Sequence, residues 1–213
     1  MRNLHKLANL YTFSVAVNVI SLYIAARVYA ESFSLLMDPI SWLGKVFTDD
    51  GSANTGAFLI LTVTMFLNAL IWKEILSLLS RSNVWKIPVV RFLGRAVLVG
   101  FILLAFPCDK FVGIHSIGGA FVVGGLWGLC TIVLYRVKVL LNSRSYMIMW
   151  YLLHISAIFC GINFVLDSAL KGFSQRPLLM AIIMITGICL HIQLRSRFEP
   201  DFAYNRSKLL RDH

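Results

Sequence analysis

Ser116–Tyr135 reads SIGGAFVVGGLWGLCTIVLY, twenty residues without a charged side chain. A helix rises about 1.5 Å per residue, so about 20 apolar residues cross a hydrocarbon core of about 30 Å. The stretch therefore reads as a membrane span. Five more apolar runs flank it, giving candidate spans at 7–29, 56–79, 92–107, 116–135, 146–167 and 177–195. The third is the shortest and is closed by Pro107.

Composition agrees: 58% of the residues are hydrophobic, 14% are charged and the mean hydropathy is +0.76, far from an ordinary soluble domain. The loops are short, and no polar linker or repeat divides the chain. The fold class expected is all-α, a polytopic membrane protein built as a six-transmembrane-helix bundle. It forms a single domain over 1–213 with a short basic tail at 198–213.

The net charge of +10 is distributed unevenly. Arg2 and Lys6 precede the first span. Lys73, Arg81, Lys86, Arg91 and Arg95 lie at or between the second and third, and Arg136, Lys138 and Arg144 between the fourth and fifth. Arg195, Arg197, Arg206, Lys208 and Arg211 end the chain. The alternate loops hold only Lys45, Lys110, Lys171 and Arg176, with Arg27 at the end of the first span. Cytoplasmic loops carry the Lys/Arg surplus, so both termini are expected in the cytoplasm. Topology and attraction to anionic headgroups account for the charge. No recognition motif accompanies it, which argues against nucleic acid as a partner. Val28-Tyr29-Ala30 resembles a signal cleavage site, but the apolar run from Leu7 to Ala26 exceeds a signal core, so the first helix is expected to be retained.

The opposite side is expected to carry the chemistry. Its first loop, about 30–55, contains Pro39, Ser41, Trp42, Leu43 and Gly44, then Asp49, Asp50, Gly51 and Asn54. Pro39 fixes φ and Gly44 permits a fold-back, while Trp42 suits headgroup depth. This loop is either a cap on the bundle or one wall of a lipid-facing pocket that binds through Ser41, Trp42 and Asn54. The next outer loop carries Cys108, Asp109, Lys110 and His115. A carboxylate and an imidazole can form an acid–base pair or share a divalent metal, so Asp109 and His115 are the candidate catalytic residues. Asp109 equally suits a helix cap or an interfacial ion pair. No metal is called for by the sequence: the cysteines lack metal-type spacing and form no evident disulfide framework.

Pro39-x-Ser41-x-Leu43-Gly44, followed by Asn54 and Phe58, and Phe106-Pro107-x-Asp109 with His115, resemble the family called domain of unknown function 998. That family is similar in its six-span layout to the FRAG, DRAM and Sfk group of membrane proteins. The resemblance implies a lipid-related role without a shared reaction. It carries over onto Pro39, Ser41, Gly44, Asn54, Asp109 and His115.

Inside the spans, polar groups are few. Ser14 and Asn18 lie one turn apart, Asn68 is on the second span, and His154 and Asn163 are on the fifth. An intramembrane ionisable residue is a functional candidate by default, so His154 is a candidate binding residue, with an interhelical hydrogen bond as the alternative. The spans contain no acidic chain, no arginine-rich helix and no lysine at mid-span, Lys73 lying in the last turns of the second. This speaks against a proton pump, a voltage sensor and a retinal protein. A transporter would need a polar path through Asn18, Asn68 and His154. Ala120, Gly124 and Gly128 recur every four residues, as helix-packing seams do. That seam is expected inside the bundle, a homo-oligomer or membrane-protein partner being the alternative. The functional expectation is a lipid-associated membrane protein that modifies lipid at an Asp109/His115 pocket. Its alternatives are a non-catalytic scaffold or lipid-binding subunit, and then a small-solute transporter.

Overall fold

The computed structural model describes residues 2–80 and 86–198. They form six α-helices: α1 (Arg2–Arg27), α2 (Thr55–Leu79), α3 (Pro88–Leu104), α4 (Val112–Arg136), α5 (Ser143–Val165) and α6 (Lys171–Phe198). Among the described residues there is no strand beyond one isolated bridge, Phe47 with Ala53. All but α3 are long and apolar enough to cross a membrane. The basic tail expected at 198–213 lies almost wholly outside the described residues.

The helix ends follow local chemistry. Pro88 starts α3 four residues before the expected span, because its fixed φ suits the first helical turn and its missing N–H is not needed there. The same helix stops at Leu104, not 107, since the residue before a proline is pushed out of the helical region and Phe106 precedes Pro107. Its seventeen residues span about 26 Å. Asn142 caps α5 by accepting the Ser145 amide at 2.6 Å. The fourth helix starts at Val112, which places His115 in its first turn.

Neighbouring helices pack in the order α1, α2, α3, α4 and α6, with α6 returning to α1 and α5 lying on α4 and α6. One apolar cluster joins α4, α5 and α6 around Leu134, Leu153, Ile185 and Cys189. A second gathers Ala25 and Tyr29 with Leu43, Ala57, Leu61, Met65 and Ala105 beneath the long loop. The outward faces are also apolar: Val63, Leu70, Phe92 and Ile155 are each more than half exposed. An apolar exterior of this extent belongs to a protein solvated by lipid.

The closest helix approach differs from the seam read in the sequence. A Cβ on Gly100 would lie 2.8 Å from the Gly118 carbonyl oxygen, and one on Gly125 would lie 2.5 Å from Val97 Cγ2. Gly118 and Gly125 are two turns apart, so they share the face that meets α3. Of the expected seam, Gly128 packs on Leu93, whereas Ala120 and Gly124 are exposed and a Cβ on Gly124 would meet nothing within 4 Å. The expected internal seam through Ala120 and Gly124 is thus corrected: the register of α4 turns these two residues away from α3.

Polar side chains of α1 bond to the neighbouring helices. Asn18 and Asn68 exchange side-chain hydrogen bonds at 2.9 and 3.0 Å, and Ser14 donates to Asn68 Oδ1 at 3.0 Å. Tyr11 donates to the Ile183 carbonyl, joining α1 to α6.

Candidate functional site

The loop between α1 and α2 folds into a cap. After Pro39 the chain makes a 3-10 turn, Ile40–Gly44, in which the Trp42 amide donates to the Pro39 carbonyl at 3.0 Å. A hairpin follows, turning at Gly51 with a φ of +85°, a conformation that glycine adopts without steric cost. Thr48 Oγ1 donates to Asp50 Oδ1 at 2.7 Å, and the Ser52 amide donates to the same oxygen at 2.9 Å. These bonds, the Thr48 hydroxyl first, hold the Asp50 carboxyl down at about 2.

The second loop, between α3 and α4, fastens this cap. Asp109 accepts the Val46 amide at 3.0 Å through Oδ1 and the Phe47 amide at 3.4 Å through Oδ2. Beside it the Cys108 amide donates to the Gly44 carbonyl at 3.2 Å, and the thiol reaches the Ser41 carbonyl at 3.0 Å. Burial, then the neighbouring Asp109 charge, pushes the Cys108 thiol up to about 11. Nearby, burial and then Glu31 push the Tyr29 phenol up to about 12.

A third attachment comes from α6. Arg176 donates to the Leu35 carbonyl at 2.8 Å and to the Asp38 carbonyl at 2.6 Å. Gln175 Oε1 accepts the Ile40 amide at 3.2 Å. Gly172 lies directly against the loop backbone, where a Cβ would run into the Met37 carbonyl oxygen. Sequence reasoning missed these three residues. The available signal was a Gly-x-x-Gln-Arg string opening a span on the side otherwise poor in positive charge.

The sequence-derived candidates are thus distributed as follows. Asp109 and His115 are not hydrogen-bonded to each other: His115 Nδ1 contacts the Phe106 carbonyl at 2.9 Å. A carbonyl can only accept, so Nδ1 carries the proton and Nε2 presents a lone pair. Ser41 contributes its backbone carbonyl, and Trp42 lies under Lys45, whose Nζ is 4.4 Å from the ring centroid. Asn54 is 1% exposed and donates to the Lys45 carbonyl at 2.8 Å. His154 belongs to a separate cluster on α4 and α5, stacked on Trp150 at 4.0 Å and edge-on to Trp127, with Nδ1 at 2.8 Å from the Trp150 carbonyl. It makes no hydrogen bond with Asn18 or Asn68.

Two buried atoms keep an unspent capacity, Asn54 Oδ1 and His115 Nε2, neither with a hydrogen-bond partner among the described residues. Both are acceptors, and both residues adjoin Gly44. Asn54 bonds the carbonyl on its far side, and His115 Cε1 would lie 3.7 Å from a Gly44 Cβ. Chemically they suit a hydrogen-bond donor. Each Asp109 oxygen already accepts one backbone amide, Val46 on Oδ1 and Phe47 on Oδ2. Among the described residues no three of His, Cys, Asp and Glu are grouped to hold one.

No protein-family model, no curated protein and no solved structure matches this chain.

Proposed function

We propose that this chain is a six-span membrane protein with both termini cytoplasmic, and that it works by binding lipid or a membrane partner beneath a rigid outer cap, without catalysis by Asp109 and His115. The observation supporting non-catalytic action is the use of the Asp109 carboxylate. An orienting carboxylate must face the imidazole, whereas this one receives two backbone amides of another loop. The His115 nitrogen that such a carboxylate would orient is held by the Phe106 carbonyl instead.

The cap also supports the topology. Asp109, between α3 and α4, bonds Val46 and Phe47, between α1 and α2, so these two loops share a side. Hence α2 and α3 together cross an even number of times, and with α2 a span, α3 crosses as well. Arg176 and Gln175 at the start of α6 bond the same first loop, so α4 and α5 cross as a pair by the same reasoning. The termini then fall opposite the cap, on the basic side, which is the cytoplasmic one. Lipid association draws on the exposed apolar faces and on the resemblance to the domain of unknown function 998 family.

The test is lipid profiling of membranes from cells with the protein, without it, and with Asp109→Asn or His115→Ala at equal folded abundance. A binding protein leaves the variants able to restore whatever the deletion changes. If one lipid class shifts on deletion and neither variant restores it, catalysis at this pair returns. Tags at both ends, both protected from externally added protease in intact cells, would agree with the topology; exposure of either end contradicts it.

A further inference from the structure

The first half of α3 carries Arg91 and Arg95, one turn apart and both exposed. The ion pairs among the described residues use other cations, Lys6, Lys45 and Lys171. Arg95 is the eighth residue of the helix, about 10 Å from its start, deeper than a loop charge. Both arginines line an open groove of about 520 Å³ that continues along Phe92, Ala96 and Val99 and reaches Phe121 of α4.

The two ends of the groove call for different chemistry. A guanidinium presents a planar fork of donors that matches phosphate oxygens, and two of them one turn apart can hold one phosphate. The remaining wall is aliphatic and aromatic, and a hydrophilic anion gains nothing from it. A plain hydrocarbon would leave both guanidiniums without a counter-ion at the membrane edge. An amphiphile with an anionic head satisfies both ends.

We propose that the groove between α3 and α4 binds one anionic phospholipid, its phosphate against Arg91 and Arg95 and an acyl chain along Ala96, Val99 and Phe121. This rests on reading α3 as a membrane-crossing helix. It does not depend on which way the chain faces, which the protease-protection test addresses separately.

The full chain, purified in uncharged detergent and exposed to mixed micelles of phosphatidylcholine and phosphatidic acid, is examined by native mass spectrometry. Phosphatidic acid is expected to be retained in preference to phosphatidylcholine. Arg91→Gln with Arg95→Gln should lower that retention about tenfold, while Arg136→Gln with Lys138→Gln, removing equal charge elsewhere, should not. Inorganic phosphate should fail to displace the lipid. Equal retention of the two lipids, or full retention by the α3 double variant, overturns the proposal; displacement by phosphate overturns it in favour of a soluble anion. Where the double variant does not fold, Val99→Trp fills the apolar half with both arginines in place. It should lose the phosphatidic acid, and retention there is equally fatal to the idea.

Discussion

Asp109 Oδ1 lies 3.0 Å from the Val46 amide, a bond that fastens the loop after α3 to the loop after α1. Sixty-three residues separate the two in sequence. Its second oxygen takes the next amide along, so one carboxylate holds two consecutive peptide groups of the cap. Asp109→Ala is therefore expected to cost about 1–3 kcal/mol, and Asp109→Asn, which keeps one acceptor, less. Thermal unfolding of the purified protein in detergent checks the order; equal melting temperatures for both variants and the parent would show that the bonds contribute nothing net.

Gly172 and Gly124 should respond oppositely to alanine. At Gly172 the added methyl meets the loop backbone at Met37, which cannot rotate away as a side chain can, so the cap must shift at a cost of about 1–3 kcal/mol. At Gly124 the same methyl meets open space on the exposed face of a helix, where alanine is preferred by up to about 1 kcal/mol. Proteolysis of the cap, monitored alongside melting, should accelerate for Gly172→Ala alone.

The Cys108 thiol should alkylate slowly. With its titration pushed up to about 11, only about one thiol in a thousand is ionised at pH 8. Labelling by iodoacetamide, followed on the peptide by mass spectrometry, should rise about tenfold per pH unit from 8 to 10. A rate that levels off below pH 9 contradicts the burial assigned to this thiol.

Asp50 gives the cap an acid limit. Its carboxyl, held by the Thr48 hydroxyl and the Ser52 amide, titrates at about 2 against a usual 3.8, so the ionised form is favoured when the cap is folded. The resulting stabilisation is complete above pH 3.8 and is lost as the pH falls towards 2. Cap proteolysis by an acid-active protease should increase across that window, and Asp50→Asn should flatten the dependence.

How far the sequence could be read depends on the kind of information each feature carries. The apolar runs were legible because crossing a bilayer sets a length and a composition that one chain segment meets by itself. The cap segment around Pro39 and Gly44 was also visible, since its turn residues stand apart from the spans. The bonding of Asp109 was not, because the partners are the backbone amides of Val46 and Phe47, and any residue presents an amide. The same holds for Arg176, whose acceptors are the carbonyls of Leu35 and Asp38.

By itself, then, the sequence determined the helical class, the number of apolar segments and the uneven distribution of positive charge, all of which depend on residues close together in the chain. The tertiary structure alone decided that Gly118 and Gly125, not Gly124, meet α3, because a quarter turn of helix register separates a seam from an exposed face. It also decided that Asp109 and His115, six residues apart, spend their hydrogen bonds on different backbone segments. A hydrogen bond requires a partner within about 3 Å along a set direction, and where the chain places its distant peptide groups is settled only when the helices pack.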